Sequence, residues 1–175
     1  ENAGDNTKAI KYYRDMINRK AGDDKTYGSL SKALLAQGDT STALSTLKEG
    51  KSLYPDSIGL LLTEINVYLA AGRGKEALTS LNQALVKDPN NPSFYLAIGS
   101  VNDNLAHPTD ASGTALPAPS DQQALMASAS SAYLKGLAIA PDHFELNYNM
   151  GAMLFNEATE LDNSANSQKS DALDR

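Results

Sequence analysis

A fixed interval of 34 residues runs through most of this 175-residue chain and limits what it can fold into. Gly4, Gly38 and Gly72 keep that step, as do Ala9, Ala43 and Ala77, Leu47 and Leu81, and Pro55 and Pro89. The next copy, Ala129, Tyr133 and Pro141, arrives 52 residues after Ala77, Leu81 and Pro89, so 18 residues interrupt the array. A period of this size marks stacked helical units, each too small to bury its apolar face alone.

The segment 24–57 shows the design of one unit. Leu30, Leu34 and Leu35 make a helical stripe, and Gly38-Asp39 supplies a left-handed stop. Thr40 or Ser41 is the expected N-cap of a second helix carrying Ala43, Leu44, Leu47 and Leu53 on its apolar face. Pro55 ends that helix, because it lacks an N–H and restricts the residue before it. Segment 58–91 repeats the plan with Leu61, Ile65, Tyr68 and Leu69, a turn at 71–74, then Ala77, Leu81, Ala84 and Leu85. Ala43, Ala77 and Ala129 fall where the two helices of a unit cross closely; a Leu there would cost about 1–3 kcal/mol by overpacking.

These residues resemble the tetratricopeptide repeat (TPR). Tyr27, Leu30, Ser31, Leu34, Ala43, Leu47 and Pro55 fit a first copy; Leu61, Ile65, Tyr68, Ala77, Leu81 and Pro89 fit a second, with Glu64 at a place usually held by Leu. Tyr95, Ile98, Gly99, Ala129, Tyr133 and Pro141 fit a third, with Asn102 in place of the usual Tyr. The resemblance implies an all-α solenoid, a right-handed superhelix of antiparallel helix pairs. The expected organisation is a single array: repeats at 24–57, 58–91 and 92–143, with half-units at 5–20 and 144–165 and then a polar tail. Ile10, Tyr13, Met16 and Ile17 are expected near one bare end, and Leu154 and Phe155 near the other. Bare terminal units call for flanking units or self-association.

The interruption lies inside the third unit, as a loop around 106–120 with three prolines and a glycine. Ser120 with Gln123 has the spacing of a capping box, so the following helix is expected to start near Asp121. Added loop length costs only about 0.6 kcal/mol per doubling, so a tolerated excursion and a functional loop both remain open.

Composition removes several chemistries. With no cysteine, disulfides, thiolate metal sites and cysteine nucleophiles are excluded. His107 and His143 sit beside prolines in different loops and make no zinc pair. Gly72, Gly74 and Ala77 have a phosphate-loop spacing but follow a helix rather than a strand. Residues 162–173 alternate oxygen side chains but lack the glycine and terminal Glu of a calcium loop. No catalytic centre, cofactor or metal is therefore expected. Residues 1–87 carry 12 basic and 10 acidic side chains, whereas 88–175 carry 3 and 11. An acidic second half argues against nucleic acid, and no apolar run approaches membrane-spanning length.

What remains is a surface. The resemblance implies a non-enzymatic protein–protein interaction scaffold that holds a peptide or a partner's helix on a concave face lined by first helices. Carried over by register, that face includes Lys25, Lys32, Leu62, Thr63, Asn66, Leu96, Ser100, Tyr148 and Asn149. Relatives that grip an acidic chaperone tail use a clamp of Lys, Asn, Asn, Lys and Arg. The corresponding places here hold Gly28, Lys32, Thr63, Ser93 and Ala97, or in the next window Leu62, Asn66, Ala97, Glu145 and Asn149. Neither set has the charges, so the expected ligand is a neutral or partly apolar polypeptide. The alternatives are a structural connector or self-association module, with homo-oligomers formed through the terminal half-units, and a carbohydrate-binding protein using Tyr95 and Tyr148. Residues 94–99 and 147–152 are similar to bacterial TPR proteins that are often exported, which implies the periplasm over the cytoplasm. A chain starting at Glu1 without a leader is expected to be processed or excised.

Overall fold

The computed structural model describes residues 3–110 and 112–173, with side chains for 6–110 and 112–159. Eight α-helices occupy the described residues: α1 (Ala3–Asn18), α2 (Asp24–Ala36), α3 (Thr40–Leu53), α4 (Ile58–Ala70), α5 (Gly74–Lys87), α6 (Pro92–Ala106), α7 (Gln122–Ile139) and α8 (Phe144–Leu173). They fall into two compact units, Glu1–Pro89 with α1–α5 and Asn90–Arg175 with α6–α8.

Each helix end has a local cause. Gly38 (φ 80°) and Gly72 (φ 69°) take the left-handed conformation that ends α2 and α4, as expected from their spacing. Asp23 caps α2 through a capping box: its carboxylate accepts from the Thr26 amide at 2.8 Å, and its own amide donates to the Thr26 hydroxyl. The N-cap of α3 is Asp39 rather than Thr40 or Ser41, because its carboxylate reaches the Thr42 amide at 3.0 Å. The capping box expected at Ser120 does not form. Asp121, one residue past the expected cap, is the N-cap of α7 with no side-chain cap bond. The Gln122 side chain instead donates to the Ala106 carbonyl at 3.1 Å, tying the start of α7 to the end of α6.

Between those ends Asp110 anchors the described residues of the inserted segment. Its carboxylate accepts from the amides of Ser112 (2.8 Å) and Thr114 (2.9 Å), and Thr109 bridges Ala115.

Ala43, Ala77 and Ala129 are fully buried at the crossings, as their register requires. The first unit packs Tyr27, Leu30, Leu34, Leu47, Leu60 and Val67 with Ile10 of α1. Ile10 is therefore core rather than bare end, and Tyr13 and Ile17 pack against the same cluster. Leu53 and Leu69, expected on apolar faces, are exposed near helix ends, where no partner helix covers them within their unit. The second unit packs Ala129, Tyr133, Leu146 and Met153, with Leu96, Leu137 and Met150 around them.

Among the described residues, one charged side chain is buried. Glu64 accepts from the Lys51 ammonium at 2.6 Å and the Ser80 hydroxyl at 2.7 Å, joining α3, α4 and α5. Both bonds are to a charged group, the stronger class of hydrogen bond, and they offset the desolvation of a carboxylate at an apolar place.

Close approach is most severe at Gly99, where an added methyl would fall inside the Tyr133 ring. Tyr133 is itself fully buried and has nowhere to swing. Gly99→Ala is expected to cost about 1–3 kcal/mol, lowering the thermal midpoint. Gly151→Ala meets no atom within 4 Å and is expected to stabilise α8 by up to about 1 kcal/mol. Thermal unfolding followed by circular dichroism checks both.

The caps set an acid limb. Hydrogen bonds from Thr26 hold Asp23, and those from Thr42 hold Asp39, below the ordinary carboxylate range. Their contribution is complete above the unfolded value of about 3.9 and is lost as pH falls through the lower folded values. Replacing both by Asn, which keeps a capping acceptor, is expected to flatten that loss in urea titrations across pH.

Candidate functional site

In the first unit the candidate residues lie on α2 and α4. Lys25 and Lys32 are seven residues apart on α2, two turns along one face. Gly28 lies between them against α4: a Cβ there would stand in ordinary contact, 3.5 Å from the Thr63 hydroxyl and 3.8 Å from Leu60 Cδ2. The result is a cleft of about 290 Å³ lined by Lys25, Gly28, Lys32, Gly59 and Thr63, with Asp24 and Ser29 at its edge. Asp24 accepts from the Ser57 hydroxyl at 2.6 Å, which fastens the α4 cap beside the cleft.

The groups in this cleft are not equally available. Thr63 is buried and donates its hydroxyl to the Gly59 carbonyl at 2.8 Å, so it offers a methyl wall. Lys25 and Lys32 are exposed, and neither makes a salt bridge among the described residues. Leu62 and Asn66 lie on the exposed side of α4, one turn apart, outside the cleft lining. Asn66 presents its amide to solvent.

In the second unit the candidates lie on α6 and α8. Ser100 accepts from Asn149 Nδ2 at 3.3 Å and from the Tyr133 hydroxyl at 3.5 Å. Ser100 and Asn149 thus satisfy each other, and Leu96 packs against the Tyr133–Leu146 cluster. Burial pushes the Tyr133 phenol above its ordinary value, with the Ser100 bond pulling the other way. Tyr148 projects outward and stacks on Phe144, ring centroids 6.2 Å apart.

Two features escape the register. A cleft of about 500 Å³ lies between α7 and α8, lined by Gln122, Gln123, Met126, Ala127, Ser130, Met153 and Glu157. Its signal in the sequence is the early start of α7, which adds Gln122 and Gln123 to the helix. The second is the exposure of Phe144 and Phe155 beside Tyr148, visible beforehand as an i, i+4, i+11 line of aromatics.

His107 and His143 stand apart, as their loops suggested. His107 Nδ1 lies 3.2 Å from the Asp103 carboxylate. His143 Nδ1 lies 3.4 Å from the Leu146 amide in the first turn of α8 and 3.2 Å from Glu145. Among the described residues no group of three or more His, Cys, Asp or Glu could hold a metal ion. No helix among them is long and apolar enough to cross a membrane.

The antiparallel helix pairs, with glycine turns and small residues at the crossings, carry the comparison with known proteins. The tetratricopeptide-repeat family model matches residues 34–101. That stretch, from late α2 into α6, reads as tetratricopeptide repeat. Among solved structures it is similar to TTC0263, a thermophilic TPR protein of Thermus thermophilus, with 23% identity and a TM-score of 0.61, covering 87% of this chain and 74% of that one. MamA of Desulfovibrio magneticus is 16% identical with a TM-score of 0.66, covering 95% and 84%. The first TPR domain of human RPAP3 is 14% identical with a TM-score of 0.57, covering 79% and 95%. No curated protein matches the sequence. These likenesses establish the all-α TPR solenoid fold. Repeats of this family are in general non-catalytic scaffolds for protein–protein contact.

The Ser100 bridge is testable. Ser100→Ala removes a partner of Asn149 and one of the two partners of the Tyr133 hydroxyl, which keeps Asn149, and with bonds of 3.3 and 3.5 Å is expected to cost about 0.5–1.5 kcal/mol. Chemical denaturation measures it.

Proposed function

We propose that the chain is a non-catalytic scaffold that binds an extended segment of another polypeptide against its first helices. The observation that carries this reading is the α2–α4 cleft. It gathers Lys25, Lys32 and the Thr63 methyl over a glycine floor, with Asn66 and Leu62 exposed on the same helix pair. A backbone laid along α4 finds in Asn66 an amide that donates and accepts at once, and in Leu62 an apolar contact. The lysine ammoniums can take carbonyl oxygens of the same segment. The ligand is neutral or partly apolar, because a cleft holding two lysines and no arginine fork gives no bidentate grip on a carboxylate. Within the second unit, Ser100 and Asn149 are engaged with each other and fix α8 to α6, so they are not offered to a ligand.

The test is affinity capture from source extract with the wild-type chain and with Lys32→Ala/Asn66→Ala. Both positions are exposed, so the fold is expected to be unchanged by circular dichroism. Polypeptides held by the wild type should be lost from the double variant. Identical capture by the two would refute the cleft as the binding site.

A further inference from the structure

The outward face of α8 is aromatic. Phe144, Tyr148 and Phe155 fall on one line along the helix and are 74%, 66% and 70% exposed. Gly151 sits among them with open space where its Cβ would stand. The opposite face of α8 carries Leu146 and Met153, which are buried in the second unit's core.

The register says what such a line receives. Tyr148 stands where α2 has Gly28 and α6 has Leu96. Gly28 faces Leu60 and Thr63 of the next first helix, α4. Leu96 packs against a cluster holding Leu146 and Met153 of its next first helix, α8. In both cases the position accepts another helix, and in α8 it is open and aromatic.

Charge says which helix fits. No Lys or Arg lies between Lys135 and Lys169, so no such side chain along the line opposes a basic partner; Glu145 stands next to Phe144, 3.2 Å from His143 Nδ1, while Glu157 faces the α7–α8 cleft. The face of α1 turned away from the core shows the complementary chemistry, with exposed Lys8 and Lys11 beside Tyr12, itself 63% exposed. Cations on aromatic faces attract, and the chain already places the Arg73 guanidinium 4.8 Å from the centre of the Tyr68 ring.

We infer that the aromatic line of α8 receives the outward face of α1 from a second copy of this chain, head to tail. Such a contact uses two different surfaces, so each joined copy still offers one of them to the next. One helix laid on one helix buries less than a stable interface requires, which makes the association weak and concentration-dependent. The α2–α4 cleft takes no part in it, so either site can fail without the other.

Sedimentation velocity on the 175-residue chain, in a concentration series up to about 1 mM, reads the association. The wild type is expected to grow with concentration at low salt and to lose that growth in strong salt. Phe144→Ala/Tyr148→Ala and Lys8→Glu/Lys11→Glu are each expected to be monomeric. Mixed one to one, they should form a dimer and nothing larger, because the first keeps α1 and the second keeps the aromatic line. All four positions are exposed, and circular dichroism confirms that both variants fold. A wild type that stays monomeric overturns the inference. So does a variant that associates like the wild type, or a mixture that remains monomeric.

Discussion

How closely two helices can cross governs each unit of this protein, and a small residue opposite a large one sets that distance. Gly50 lies against Tyr27, Gly136 against Tyr95 and Leu146, and Gly99 against Tyr133. The register shows the trade being made. Gly50, Ala84 and Gly136 are equivalent, and their counterparts on the first helix are Tyr27, Leu61 and Tyr95. Glycine accompanies tyrosine, and alanine accompanies the smaller leucine. A second series runs Ser31, Ile65 and Gly99 against Leu47, Leu81 and Tyr133, again with glycine facing the ring. Interiors tolerate exchanges that conserve volume far better than those that change it. The period therefore persists although individual residues differ between copies.

Polar groups enter these crossings only where a neighbour answers them. Ser31 is buried and donates to the Ala43 carbonyl at 3.1 Å, so its hydroxyl costs little at a place where glycine also stands. Glu64 is the bolder case, a carboxylate at the register place of Leu30 and Ile98. It is stable there because Lys51 and Ser80, from two other helices, converge on the same oxygen. Asn102, the other departure from the repeat pattern, turns its amide back to the Ile98 carbonyl at 2.8 Å. Each departure is settled by bonds that a repeat pattern does not encode.

This explains what could be read in advance. The helix pairs, their glycine stops and the buried alanines follow from periodicity and backbone conformation, both local properties of a 34-residue unit. The caps were less legible, because Asp39, Thr40 and Ser41 all have capping side chains and only backbone geometry selects among them. Site residues were legible as positions on a face but not as free or engaged groups. Lys32, Asn66, Ser100 and Ala152 share one register place, yet Ser100 is bonded to Asn149 while Lys32 and Asn66 face solvent. Whether a side chain is spoken for depends on a neighbour 49 residues away, and no local pattern carries that.

A repeat register assigns each face of a helix a role, and individuality lies in the residues that fill the role differently. The place filled by Gly28 in α2 is apolar in α4 and α6 and aromatic in α8. Glycine there leaves an open floor to the cleft between two lysines. Tyrosine there leaves a projecting ring. The same backbone geometry thus presents a cationic recess in one unit and an aromatic ridge in the other. Two such unlike surfaces serve unlike contacts: the recess offers lysine ammoniums to the carbonyl oxygens of an uncharged segment, and the ridge offers ring faces to cations. A single uniform ligand stretched over both would satisfy one at the expense of the other.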